Sequence, residues 1–206
     1  MANVDLAEVS RRPQRYWNVD GLPELVMGLL WVVWGAAWLI GEWVPREGAG
    51  RLYWLFAPAL LVLGGFGAIG VIKRLKARLT FPRTGFVEWR EPSGRERTTA
   101  AAVALIIAMV LVLIVGRGGT SADHAAPVLG VILSLAFVVA SLRQRAPHYL
   151  ALAGVALATG LAFGAIEGGW TSANWLFVIV GLATAALGAI RLALFLRKHP
   201  RAEAAS

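Results

Sequence analysis

The chain contains no cysteine, and only 16% of its residues are charged. The first absence excludes disulfides, thiolate metal sites and cysteine nucleophiles. The second argues against an ordinary soluble domain, whose surface would need more charge at this length. No phosphate-cradling glycine loop, dinucleotide fingerprint or nucleophile elbow occurs. The three histidines, His124, His148 and His199, fall at different helix ends and loops, without the His/Glu spacing of a metal site. None sits in the middle of an apolar run, so haem or chlorophyll ligation is not expected either. No metal, no cofactor and no enzymatic activity is expected from these residues.

What the chain has in abundance is apolar length. Of its 206 residues 58% are hydrophobic, and the mean hydropathy is +0.65. Six segments carry no Asp, Glu, Lys or Arg: Leu25–Gly41, Leu52–Ile72, Thr98–Gly116, His124–Leu142, Ala146–Ile166 and Gly168–Ile190. They run for 17, 21, 19, 19, 21 and 23 residues. A helix needs about 20 residues to cross the hydrocarbon layer, and only a helix satisfies its own backbone hydrogen bonds there. The expected fold is therefore all-α: a six-helix transmembrane bundle spanning about 22–41, 52–73, 98–116, 124–142, 147–166 and 171–196.

The formal net charge of +8 could suggest nucleic acid, but the cations fall between the apolar runs, as membrane topology requires. The N-terminal segment, the 73–97 loop, the 143–145 turn and the C-terminus hold 17 of the 20 Lys and Arg residues. Only Arg46, Arg51 and Arg117 fall on the other side. Lys and Arg mark the cytoplasmic face, so both termini are expected inside, in a cell inner membrane. Pro23, Pro127 and Pro147 stand in or near first turns, where the missing N–H costs nothing. Thr98 or Thr99 can cap span three, and Thr171 or Ser172 span six. Pro58 lies within span two, either as a packed kink or as the break in a discontinuous helix.

Small residues at four-residue steps let helix backbones approach closely. Span five has Ala156, Gly160 and Gly164, and span six has Gly181, Ala185 and Ala189, so these two spans are expected to pack on each other. Span two carries Gly64, Gly65, Gly67 and Gly70, a further contact face or a flexible end. "WLF" at 54–56 and 175–177 is followed at one interval by "GAI" at 67–69 and 188–190, which suggests a parallel duplication of a helical hairpin.

The only long loop, 74–97, includes "RLTFPRTGFVEWREP". "LTF", "FVEWR" and "RERTT" favour extended structure and "PRTG" and "PSG" supply turns, so a small cytoplasmic β-hairpin-like insert is expected. Phe81, Phe86 and Trp89 could enter the headgroup layer while Arg83 and Arg90 meet anionic lipid phosphates. Together "RYWNVDGLPEL" (15–25) and "LTFPRTGFVEW" (79–89) resemble a group of bacterial polytopic membrane proteins. That group has an RYW-x-x-DG-x-x-E-L segment and a YPRTGYV-type loop. The resemblance covers roughly the first half of the chain. It implies an α-helical membrane protein and brings no activity or catalytic residue with it. Phe81 and Phe86 stand where the group more often has Tyr, which argues against a role for phenolic hydroxyls there.

Four carboxylates are candidate polar or ion contacts: Asp20, Glu24, Glu42 and Glu167. Asp20 and Glu24 would share a helical face at the start of span one. They either cap that helix and complement its dipole or clamp the insert through Arg83 or another of its arginines. Glu42 and Glu167 end spans one and five on the outer side, as solvated helix ends or, if both turned inward with Asn174, as a proton or cation site. Trp31, Trp34 and Trp38 form a stripe that either packs between helices or presents a face to a lipid tail, pigment or partner helix. The expected function is that of a non-enzymatic accessory or scaffold component, contacting lipid headgroups or a partner membrane subunit. The rival is a small transporter or lipid-handling permease working as a homo-oligomer. Nucleic acid is not an expected partner.

Overall fold

The computed structural model describes residues 20–48, 50–84, 124–166 and 168–200. All regular structure among these residues is helical: α1 Leu22–Gly41, α2 Gly50–Leu79, α3 Phe81–Thr84, α4 Ala125–Gln144, α5 His148–Gly164 and α6 Gly169–Lys198. Three of them, α1, α4 and α6, are long and apolar enough to cross a membrane, and α5 is a shorter apolar helix of 17 residues. Span three (98–116) and the greater part of the insert (85–97) lie outside the described residues.

Helices α1 and α5 run away from one end of the bundle and α2, α4 and α6 run toward it, so the bundle has two chemically distinct ends. Lys73, Arg74, Arg78, Arg143, Arg145, Arg191, Arg197 and Lys198 gather at one, called here the basic end, with the N-terminus of α1. Arg46 and Arg51 lie at the far end. There the α1–α2 turn is held by Tyr53, whose hydroxyl donates to the Ala37 carbonyl. Trp54 Nε1 also donates to the Val44 carbonyl at 3.4 Å, and Arg46 lies 5.2 Å over the Trp54 ring.

Among the described residues the closest helix pair is α1 with α6, an antiparallel contact made by small residues. A Cβ on Gly28 would stand 2.4 Å from the Ala185 backbone nitrogen and 2.6 Å from the Gly181 carbonyl oxygen. One on Gly188 would stand 2.3 Å from the Leu25 nitrogen. The Gly181/Ala185 stripe is therefore a true contact face, but it meets α1 and not span five. Ala189 is exposed. The stripe on α5 is likewise used elsewhere: Gly160 meets Gly130 of α4, where a Cβ on either would stand 2.7 Å from the other's Cα, and Gly164 faces Pro127. The reason lies in the turn lengths. The Arg145–Pro147 turn joins α4 to α5 so tightly that α5 spends its smallest face on its immediate neighbour. Larger residues, Leu152, Leu176 and Val180, then fill the α5–α6 side of the core with Phe137 and Tyr149.

Other expectations change at the termini of helices. α6 starts at Gly169 with Gly168 as its N-cap, so Thr171 and Ser172 lie inside it and cap nothing. α2 is one unbroken helix through position 58, which excludes the discontinuous-helix reading. Gly64 takes the Leu30 side chain, whereas Gly65, Gly67 and Gly70 meet no described atom. The start of the insert also differs from expectation. "RL" continues α2 to Leu79 and Phe81–Thr84 form a helical turn, α3, in place of an extended strand. Tertiary bonds override β propensity here, because Lys76 and Thr80, one turn apart, are both fastened to Asp20 just before α1.

Candidate functional site

The polar chemistry of the described residues converges on the N-terminus of α1 at the basic end. Gly21 precedes that helix with φ of 74°, a left-handed conformation that glycine adopts without strain. A Cβ there would also strike the Gly188 carbonyl oxygen at 2.5 Å. This turn places Asp20 before the helix and Glu24 within its first turn, so the two carboxylates do not share a face but diverge. The four-residue rule applies only when both residues are helical.

Asp20 is completely buried. One oxygen, Oδ1, accepts the Leu22 N–H at 3.2 Å. The other, Oδ2, accepts from Lys76 Nζ at 2.6 Å and Thr80 Oγ1 at 2.8 Å. Lys76 and Asp20 side chains are each 1% exposed, so this is a buried ion pair with its remaining valences satisfied. Burial pushes the Lys76 ammonium below the usual lysine range, and the Asp20 carboxylate beside it pulls the other way. Asp20 thus serves both as a cap and as a clamp. Its partners are Lys76 and Thr80, because these two residues fill the carboxylate before Arg83, a turn further on, could reach it. Arg83 Nε and Nη1 are buried without a hydrogen-bond partner.

Glu24 points the other way, between α5 and α6. Its Oε1 accepts from the Tyr149 hydroxyl at 2.9 Å and from Arg191 Nη1 at 3.0 Å, with His148 Nε2 at 3.3 Å. Arg191 Nη1 also makes a close contact with His148 Nε2 and lies 3.2 Å from its Nδ1. Glu24 Oε2 is buried and takes no hydrogen bond. The clamping arginine is thus Arg191 of α6, not one from the insert. His148, Tyr149 and Arg191 were not expected at this site. The available signal was weak: a polar pair, His148–Tyr149, opens an apolar helix, and Arg191 interrupts α6 seven residues before its end.

The remaining candidates do not join this cluster. Glu42 is exposed at the far end, where Thr171 Oγ1 donates to it at 2.7 Å, so it does not turn inward. Glu167, Phe86, Trp89 and Arg90 lie outside the described residues. Phe81 and Arg83 lie on α3, half-buried. The tryptophan stripe packs between helices: Trp31 against Phe137 and Phe177 (5.9 and 6.4 Å between centroids), Trp34 against Phe177 (4.4 Å) and Trp38 against Trp54 (5.7 Å). No group of three or more His, Asp or Glu residues suited to a metal ion occurs among the described residues. Comparison with protein families, curated proteins and solved structures found no match for this chain.

Proposed function

We propose that the chain is a six-span protein of the inner (cytoplasmic) membrane with both termini inside, acting as a non-enzymatic accessory or scaffold component. Its partners on this reading are anionic lipid headgroups and a neighbouring membrane subunit or second copy. Three helices of sufficient apolar length support membrane residence. The collection of cations at one end of the bundle supports the orientation. Lys73 and Arg74 are exposed directly after the exposed apolar residues Phe66, Ile69 and Val71 of α2, which is where phosphate headgroups would lie.

One observation carries the choice of a scaffold over a permease. The buried acids Asp20 and Glu24 are both bound to cations that tie the start of α1 to α2 and α6, and Glu42, an acid named for a transport site, is exposed. Deeper in, the space between α1, α4 and α6 is filled by Trp31, Trp34, Phe137 and Phe177. A bundle fastened at one end and filled with aromatic rings below is suited to holding a shape and docking to something.

Native mass spectrometry in mild detergent at low salt tests this reading. A stoichiometric protein partner, lost when Arg83 and Trp89 are replaced by Ala, is the expected result. Solute flux by the purified protein in liposomes would overturn it.

A further inference from the structure

We propose that Trp43 and Trp170 form a paired anchor at the far end of the bundle, seated in the ester-carbonyl layer of the surrounding phospholipids. This rests on the membrane residence proposed for the chain and concerns the leaflet opposite the basic end. Trp31, Trp34, Trp38 and Trp54 pack against other rings inside the bundle. Trp43 and Trp170 do not, and they stand 88% and 54% exposed. Neither indole N–H donates to a described residue.

Both occupy the step from exposed apolar surface to exposed charge. Trp43 falls between Ile40, which is exposed, and the exposed Arg46 and Glu47. Trp170 falls between the exposed Ile166 and the polar start of α6 at Thr171. The two rings are also held at one level of the bundle. Glu42, next to Trp43, accepts from the Thr171 hydroxyl, next to Trp170, at 2.7 Å. The turn that carries Trp43 is fixed in turn by its own backbone. The Trp43 and Val44 N–H groups donate to the Ile40 and Gly41 carbonyls, each at 3.0 Å.

The chemistry of the indole selects the occupant. It joins a large apolar body to a single N–H donor that needs an acceptor. Bulk water leaves the body exposed, and the hydrocarbon layer leaves the N–H unpaired. The carbonyl layer between them satisfies both, and tryptophan collects there for that reason. Charge at this end does not select an anionic lipid. Among the described residues Glu42 and Glu47 offset Arg46 and Arg51. The partner is therefore the ester carbonyl of any phospholipid, whereas the cations of the basic end meet phosphate.

Fluorotryptophan incorporated into the full chain gives one fluorine NMR signal per ring in phosphatidylcholine nanodiscs. The signals lost in Trp43→Phe and Trp170→Phe identify the two anchors. Trp175→Phe identifies another exposed ring on α6, about 7.5 Å deeper along the helix axis, as a depth marker. A nitroxide near the ester end of the acyl chain is expected to broaden the Trp43 and Trp170 signals beyond detection. A nitroxide at the terminal methyl is expected to leave both visible while broadening Trp175 more. Adding phosphatidylglycerol should leave both signals in place, and ether-linked phosphatidylcholine, which lacks the carbonyl, should shift them. Broadening of these two by a water-soluble paramagnetic chelate alone, or mainly by the chain-end nitroxide, would overturn the anchor. So would indifference to the ether-linked lipid. If other tryptophans respond to the lipid nitroxides and these two do not, the anchor alone falls. If no signal responds to either, membrane residence falls with it. Trp43→Tyr and Trp170→Tyr supply the assignments should the Phe variants not fold.

Discussion

The buried Asp20–Lys76 pair lends itself to a double-mutant cycle. At 2.6 Å and 1% exposure for both side chains, neither charge has water to fall back on. Removing one member of such a pair leaves the other uncompensated, at a cost of about 3–5 kcal/mol. Asp20→Asn should fall within that range, because Lys76 then keeps its charge without a counter-ion. Lys76→Met should cost less, toward about 3 kcal/mol, since Asp20 retains Thr80 Oγ1 and the Leu22 N–H. The double variant removes both charges. Replacing a buried pair by uncharged groups is commonly close to neutral, so it should lie within about 1–2 kcal/mol of the parent. The coupling is then several kcal/mol and opposite in sign to the single effects. Reversible unfolding in mixed micelles, followed by tryptophan fluorescence, measures all four corners. If the singles each cost under about 1 kcal/mol, or if the double equals their sum, the pair is not buried as described.

Further predictions concern backbone contacts and pH. Gly28→Val would push a side chain into the Gly181 and Ala185 backbones; it should cost at least about 1–3 kcal/mol, with Gly67→Ala as a control that gains up to about 1 kcal/mol, read by the same unfolding assay. Arg145 has φ of 50° at the end of α4, so Arg145→Gly should raise stability by about 1 kcal/mol; no gain would mean that the turn is not held left-handed. Lys76 has a lowered value in the folded state, so the unfolded chain holds more protons between that value and about pH 10.4. Stability should therefore climb with pH in that window, being lowest below the folded value, and Lys76→Met should remove that component of the slope.

Some of this architecture is legible residue by residue. The cysteine-free, charge-poor composition and the long apolar runs anticipate helices of the observed kind, and α1, α4 and α6 fall on three of them. Pro23 and Pro147 stand where helices begin. The small-residue stripe of α6 is visible as a contact face before any fold is known. Its partner is not, because Gly28 and Gly188 lie far apart in the chain, and spacing within one helix carries no information about which neighbour it will meet. The same limit hid His148, Tyr149 and Arg191. Each is unremarkable alone, and only the convergence of α1, α5 and α6 places all three within about hydrogen-bond reach of Glu24.

Asp20 shows the division most clearly. Four-residue spacing suggested a shared face with Glu24, and the glycine after Asp20 carried the warning that the helix had not yet begun. Run length, charge distribution and helix-start chemistry are local, because each follows from backbone hydrogen bonding and from the cost of placing a given side chain in lipid or water. They determined that this chain forms apolar helices with one basic end. Which helices touch, and which buried charge meets which, was decided only by the tertiary structure. Pairing depends on how turn length and the smallest faces let backbones close, and a buried carboxylate takes whichever cation that closure brings within reach.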